Sequence, residues 1–418
     1  MLKTIKGTRD ILPPEIARWQ MIETAARDIF HAYQYGEIRT PVFEETALFA
    51  RSIGGETDIV QKEMYSFVDK GDNQLTLRPE GTAPVVRAFV EHNLYADQSL
   101  RKLYYIGPMF RYERPQKGRY RQFHQIGAEA LGSDHPAIEA EVIEMLDLLL
   151  RRLCITPTTL FINSIGDSNC RPGYIEKLRE AIEHVSDQLC ADCRHRAKAN
   201  PLRVLDCKVE SCQPVISTLP VMIDHLCDGC ADHFARFRSY LGAKGIAYRL
   251  NLRLVRGLDY YVRTTFEVTS ARLGSQNALL GGGRYDGLSE TLDGPPVQGF
   301  GFAMGMERMV LALPESDAAT LPVAVYIAWM GQAAMDPALD LSRRLRGRGI
   351  SVAVDFEPRS LKSQMREANK LRSQFVVLLG EDEVKSGQFT IKTMADGVQR
   401  TVDGDELEKI VSIAVPRA

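Results

Sequence analysis

Residues 110–123, FRYERPQKGRYRQF, gather Arg111, Arg114, Lys117, Arg119 and Arg121 among four aromatic side chains, in a chain whose formal net charge is −2. Glu113 is the one acid among them. A solvated charged face normally mixes its signs. A planar guanidinium donates two parallel hydrogen bonds to a phosphate, and an aromatic ring gives a purine a surface to stack on. Side chains alternate faces along a strand. A hairpin through this stretch therefore places Arg111 and Glu113 on one face of its first strand. Arg119, Arg121, Phe123, Gln125 and Glu129 share one face of the second, provided the strand stays regular past Gly127. That surface suits a nucleoside triphosphate; a basic, RNA-facing or merely solvated hairpin is the alternative.

Four further stretches carry chemistry. TLRPEGTAP (76–84) spaces Arg78, Glu80 and Thr82 two apart around a proline and Gly81. Glu80 can accept from an ammonium group with help from Thr82, although a strand end followed by a helix cap would look the same. LVRGLDYYVRTTFE (254–267) sets Arg256 at a glycine turn before an apolar strand. Arginine is seldom buried without a partner, so Arg256 expects an anion, either a ligand or a structural partner such as Asp259. Tyr260 and Tyr261 alternate, one toward the core and one toward a pocket. LLGGGRYDGL (279–288) has three consecutive glycines, Gly281 to Gly283, which let backbone approach a ligand or make a tight turn. It lacks the Gly-Lys-Ser/Thr ending of a P-loop. GFGFAMGMERMVLAL (299–313) puts Arg308 in the first turns of an apolar helix, where phosphate is also favoured.

LCADC supplies Cys190 and Cys193, and LCDGC supplies Cys227 and Cys230. Two Cys-x-x-Cys pairs at this separation match a structural zinc site, each pair giving two thiolates from one turn. The expected ligands are Cys190, Cys193, Cys227 and Cys230, with Cys207 and Cys212 able to replace one pair; free, partly buried thiols are the plain alternative. A metal would offset the small core of a short helical insert.

The elements that must position these residues follow from pattern. With 418 residues the chain exceeds one core, so two or three domains are expected. Hydrophobic content of 44% and charged content of 25% are those of an ordinary globular protein. Nothing reaches the run of about 18 apolar residues that spans a membrane, and the N-terminus lacks a signal-peptide core, so a cytoplasmic protein is expected. The near-neutral charge excludes a globally basic nucleic-acid binder and leaves local patches for any such contact. A helix is predicted over 14–34 and another over 136–153, with strands at 74–78, on both sides of RPQKG, and at TLFINSIG. The cysteine-rich, helix-forming stretch 168–250 interrupts the strands as an inserted subdomain. Beyond Pro314 the pattern becomes β-α-β-α-β, a compact α/β domain with a largely parallel sheet. The expected division is 1–167 with 251–320, then 168–250, then 321–418.

The stretch around Pro41, FRYE…RYRQF and GFGFAMGMERMVL, in that order, resemble motifs 1, 2 and 3 of class II aminoacyl-tRNA synthetases. RGLDYY and GGGRYDGL resemble the two signature peptides of the histidyl-tRNA synthetase family, and TLRPEGT matches it too. The resemblance spans essentially the whole chain. It implies an α+β catalytic core of six antiparallel strands with flanking helices, an inserted mainly helical subdomain, and a C-terminal α/β anticodon-binding domain. It implies a homodimer, ATP as substrate with Mg²⁺, L-histidine, and tRNA(His). Carried over to this sequence, Glu80, Gly81, Thr82 and Gln125 hold the amino acid's α-amino end. Glu129 and Tyr261, with Tyr260 and Tyr285 nearby, face the imidazole. Arg111 and Arg256 clamp the α-phosphate, and Glu113, Arg119, Phe123 and Arg308 complete the ATP site. Histidine is mostly uncharged at neutral pH, so selection by hydrogen bonds to both ring nitrogens fits. Two rival readings share the fold: a histidine-sensing regulatory subunit of ATP phosphoribosyltransferase, which needs neither the phosphate clamp nor an anticodon domain, and a class II ligase for another amino acid.

Overall fold

The computed structural model describes residues 2–55, 57–97, 99–274, 277–315 and 323–414. The alternating apolar stretches between residues 36 and 305 become one large sheet. Six long strands lie side by side in the order Arg101–Phe110, Gln122–Leu131, Gly299–Gly305, Ala278–Arg284, Val262–Ser270 and Thr158–Ser164, each antiparallel to its neighbour. Two short strands, Gly36–Glu37 and Arg249–Leu250, extend its two edges in parallel fashion. This is the six-stranded antiparallel core expected, with a short parallel strand added at each side.

Helices cover one face of this sheet. Glu15–Ala32 buries Trp19, Ile22, Ala25, Ala26, Ile29 and Phe30, the spacing of one helical stripe. Pro136–Arg152 begins with proline in its first turn, where no N–H is lost. Asp228–Ala243 packs beside it, bringing Phe234, Phe237 and Leu241 onto the same core as Phe266, Phe300 and Phe302. A buried ion cluster ties these layers together: Glu139 Oε1 accepts from Arg284 Nε at 2.6 Å and lies 2.7 Å from His233 Nε2. Arg284, in the middle of GGGRYDGL, is thus a structural cation, fully buried and paired. Breaking such a pair leaves an uncompensated buried charge, which is strongly destabilising.

The inserted segment does not stand apart. Tyr174, Leu178 and Ile182 of the helix Arg171–His184 share a core with Val85, Phe89, Tyr105 and Tyr261. Residues 1–315 therefore form one unit and 316–418 another. A boundary at 320/321 falls outside the described residues. The second unit carries the expected parallel strands Val352–Val354, Val325–Trp329 and Phe375–Leu379, and adds antiparallel Gln388–Thr393 and Gln399–Asp403. Its core of Val325, Ile327, Trp329, Leu341, Leu345, Val377 and Leu379 is its own. Among the described residues no helix is long and apolar enough to cross a membrane.

Candidate active site

The strands of the motif hairpin stop at Phe110 and resume at Gln122. Arg111, Glu113 and Arg119 therefore lie in the connecting loop, where strand alternation does not set their directions. The loop is pinned instead: Arg111 N donates to Arg121 O at 2.9 Å, and Arg121 N to Gly7 O at 2.7 Å. From Gln122 onward the alternation holds. Phe123 and Gln125 line one cavity, and Glu129 stands further along the same face, with Gly127 between them leaving room for the Tyr105 ring.

That cavity encloses about 290 Å³. Glu80, Thr82, Arg111, Glu113, Arg119, Phe123, Gln125, Arg256, Tyr260, Tyr261 and Arg308 all line it. Gly81, Glu129 and Tyr285, also predicted for the site, adjoin residues that line it. Gly81 caps the helix Thr82–Glu91 and lies against the Tyr105 ring, with no room for a side chain. Tyr260 and Tyr261 were expected on opposite faces, yet both reach the cavity, their ring centroids 4.7 Å apart. They precede the strand Val262–Ser270, so its alternation does not apply to them.

One part of the cavity is buried and rich in acceptors. Glu80 takes the backbone N–H of Thr82 at 2.7 Å and of Ala83 at 2.8 Å, and the Tyr260 hydroxyl lies 3.4 Å from it. The turn PEGT is thereby closed onto its own carboxylate. Thr82 Oγ1 and Tyr285 Oη donate to the two oxygens of Glu129 at 2.7 and 2.5 Å. Burial pushes Glu129 up to about 8, against the opposing effect of those two donors, and Glu80 adds to the rise. Burial likewise raises Glu80. Gln125 Oε1 is buried with no hydrogen-bond partner among the described residues. A buried acceptor left unmade costs about 1–3 kcal/mol, so this oxygen asks for a donor from a ligand.

The other part is cationic. Arg111 donates to Pro79 O at 2.8 Å and lies over the Phe123 ring at 5.4 Å. Arg308 donates to Ala278 O at 2.8 Å; burial, then neighbouring Arg119, hold its pKa below the usual arginine value. Among the described residues Arg256 pairs with Glu267 at 3.0 Å rather than with Asp259, and its Nε is buried without a hydrogen bond. Arg119 Nε lies 2.8 Å from Glu113, a close ion pair without the alignment of a hydrogen bond. Four guanidiniums thus converge on one cavity, where Glu113 lies against Arg119 and Glu267 against Arg256. Glu267 and Glu307 were not picked out from sequence. A glutamate in the apolar run TTFEVTS was the available signal for the first. Glu307 accepts from His124 N at 2.9 Å and fixes the strand that carries Phe123.

The four cysteines expected to share one metal are not brought together. Cys190 and Cys193 group with Cys207 and Cys212, whereas Cys227 and Cys230 group with Asp167 and Cys170. The reason is packing: Cys190 and Cys193 open the helix Ala191–Ala199 inside the insert, while Cys227 and Cys230 open the helix that joins the main core.

A donor-hungry buried pocket joined to a guanidinium cluster beside an aromatic ring suits a small amine-bearing molecule next to a phosphorylated one. Comparison with known proteins identifies the family. Residues 7–309 match the family model described as histidyl-tRNA synthetase, and residues 324–412 match the one described as anticodon binding domain. A histidine–tRNA ligase of Geobacter metallireducens is 54% identical over 402 residues, covering 96% of this chain and 97% of that protein. One from Koribacter versatilis is 51% identical over 419 residues, covering 97% and 95%. The crystal structure of apo S. aureus histidyl-tRNA synthetase superposes with a TM-score of 0.83 at 38% identity, covering 99% of this chain and all of that one. The chain belongs to the histidyl-tRNA synthetase family.

Proposed function

We propose that the cavity joins L-histidine to ATP and passes the activated histidine to tRNA(His), releasing diphosphate and then AMP. The observation that carries this reading is the meeting, in one cavity, of an unpartnered buried acceptor, Gln125 Oε1, with the clamp of Arg111 and Arg256. Glu80, Thr82 and Gln125 take the α-ammonium group. Glu129, held by Tyr285 and Thr82, faces the imidazole together with Tyr261 and Tyr260. Phe123 stacks the adenine, and Glu113, Arg119 and Arg308 orient the triphosphate.

The substrate carboxylate attacks the α-phosphorus, the bond to the β-phosphate oxygen breaks, and diphosphate leaves. Negative charge grows on the α-phosphate oxygens as phosphorus becomes five-coordinate. Arg111 and Arg256 are already in place to meet it, and stabilisation that is greater in the transition state than in the ground state is what accelerates the step. No protein nucleophile is needed. In the free protein Arg111 lies 3.9 Å from Glu113 and Arg256 3.0 Å from Glu267, so phosphate binding exchanges one anionic partner for another. Magnesium fits the carboxylates of the cationic part, Glu113 and Glu267, which are oxygen donors of the kind it takes; when bound it neutralises phosphate charge. The second unit binds the anticodon region. Two copies associate through the face near Pro41, where Phe43 and Phe67 are exposed and in mutual ring contact; a solution mass of one chain would overturn the dimer. The reaction belongs to the cytoplasm, in keeping with eight cysteines outside any disulfide.

Amino-acid-dependent exchange of diphosphate into ATP tests the reading. Exchange is expected with histidine. Exchange with another amino acid alone would indicate a different ligase, and none at all in folded protein would favour a non-enzymatic histidine-binding role.

A further inference from the structure

Both Cys-x-x-Cys pairs adopt the same local shape. Cys190 and Cys227 are each the N-cap of a helix, with φ −65°, ψ 164° and φ −69°, ψ 163°. Each pair meets a second pair from elsewhere in the chain. Around the first, the side-chain sulfurs of Cys190, Cys193, Cys207 and Cys212 all lie within 4.8 Å of one another, and Cys190 Sγ is 3.9 Å from Cys207 Sγ. Four sulfurs around zinc at about 2.3 Å form a tetrahedron with edges of about 3.8 Å. Three of these sulfurs also receive backbone N–H groups: Cys190 Sγ from Cys193 at 3.4 Å, Cys207 Sγ from Val209 at 3.4 Å, and Cys212 Sγ from Cys190 at 3.2 Å. None of the four is in a disulfide, and three are buried.

Around the second pair, Asp167, Cys170, Cys227 and Cys230 also lie within 4.8 Å of one another. Asp167 Oδ1 is 3.7 Å from Cys170 Sγ and 4.0 Å from Cys227 Sγ. Its other oxygen accepts from Arg263 at 3.2 Å, which fixes the carboxylate with one oxygen toward the cysteines. Three thiolates and a carboxylate are an accepted ligand chemistry for zinc.

We propose that the chain holds two structural Zn²⁺ ions, one on Cys190, Cys193, Cys207 and Cys212, and one on Asp167, Cys170, Cys227 and Cys230. The first ion closes the insert on itself, across a stretch whose helix Ala191–Ala199 buries one side chain, Cys193. The second ties the two ends of the insert together. Asp167 follows the sheet strand Thr158–Ser164, and Cys227 starts the helix Asp228–Ala243. It also stands near the cavity wall. Arg171, just beyond Cys170, donates to Ile165 O, Gly166 O and, at 2.7 Å, Tyr261 O. Closing a long loop by metal removes unfolded-state freedom, as a disulfide does.

Metal analysis of the full chain, prepared without an affinity tag or strong chelator, is the test. Two zincs per chain are expected, with Cys207→Ser keeping one and Cys170→Ser keeping the other. Well under two zincs in the unmodified chain would overturn the proposal, as would iron in their place, or a folded single variant that keeps both ions or loses both. If either variant fails to fold, zinc-edge X-ray absorption on the unmodified chain decides. A first shell averaging about 3.5 sulfurs and 0.5 oxygen, the mean of the two sites, supports it; a shell of mostly nitrogen or oxygen overturns it.

Discussion

Arg256 is held for a ligand by two features, an ion pair to Glu267 and a backbone with no side chain in its way. A methyl group at Gly281 would sit 2.5 Å from its Nη1. With Arg256→Ala the fold persists, because the pair it loses is partly exposed and such pairs contribute little. Histidine-dependent diphosphate exchange should fall by about two to three orders of magnitude, by analogy with a lost oxyanion donor. Near-normal exchange in folded protein would remove Arg256 from the clamp. Glu129 makes a second residue-scale prediction. Its carboxyl is raised from 4.5 to about 8 by burial. Between those values the folded state keeps a proton that the unfolded state has lost. Stability from this group is therefore present at low pH and falls as pH rises, by about 1.4 kcal/mol per unit within the window as an order of magnitude. Glu129→Gln removes that slope, so the variant should gain on the parent steadily from pH 5 to 8 in denaturant titrations. Parallel curves would show that Glu129 is ionised throughout.

At the scale of elements, glycine-bearing strands make the room that large site side chains occupy. Gly301 pairs with Glu129 across neighbouring strands, and a Cβ there would lie 1.7 Å from Glu129 Oε2. It would also lie 2.7 Å from the backbone oxygen of Ala128, so moving the carboxylate alone does not relieve the clash. Gly301→Ala is expected to cost about 1–3 kcal/mol, the usual size of overpacking, and to raise the KM for histidine more than that for ATP. Thermal unfolding and steady-state exchange check both parts; an unchanged melting temperature with unchanged KM would mean the site adapts. Strand logic was readable from Phe123 to Glu129, where the chain is regular. It failed for Arg111, Arg119 and the Tyr260–Tyr261 pair, which lie beyond strand ends, and there hydrogen bonds from loops set direction instead.

For the whole molecule, the two units differ in what they must touch. The first contains every residue of the proposed chemistry, and the second has its own core. A chain ending at residue 315 should keep histidine-dependent exchange within a few-fold, while charging of tRNA falls about tenfold or more, the loss of about 1.4 kcal/mol of binding. Full charging by the short chain would leave the second unit without a role in tRNA recognition. Loss of exchange would mean that the units depend on one another to fold.

What the sequence determined alone was the chemistry and its order along the chain. Arginines among aromatics, a PEGT turn, a glycine triplet and paired cysteines are types and spacings, and local propensity with side-chain period is enough to read them. The β-α-β-α-β alternation of the second unit was legible for the same reason. Only the tertiary structure decided which distant partners meet. Arg284 meets Glu139, 145 residues away, and the two Cys-x-x-Cys pairs part company, Cys227 joining Asp167 across 60 residues. Such pairings depend on how helices and strands pack over one shared core, and burial there, which a one-dimensional pattern does not contain, is what sets the charge of Glu129.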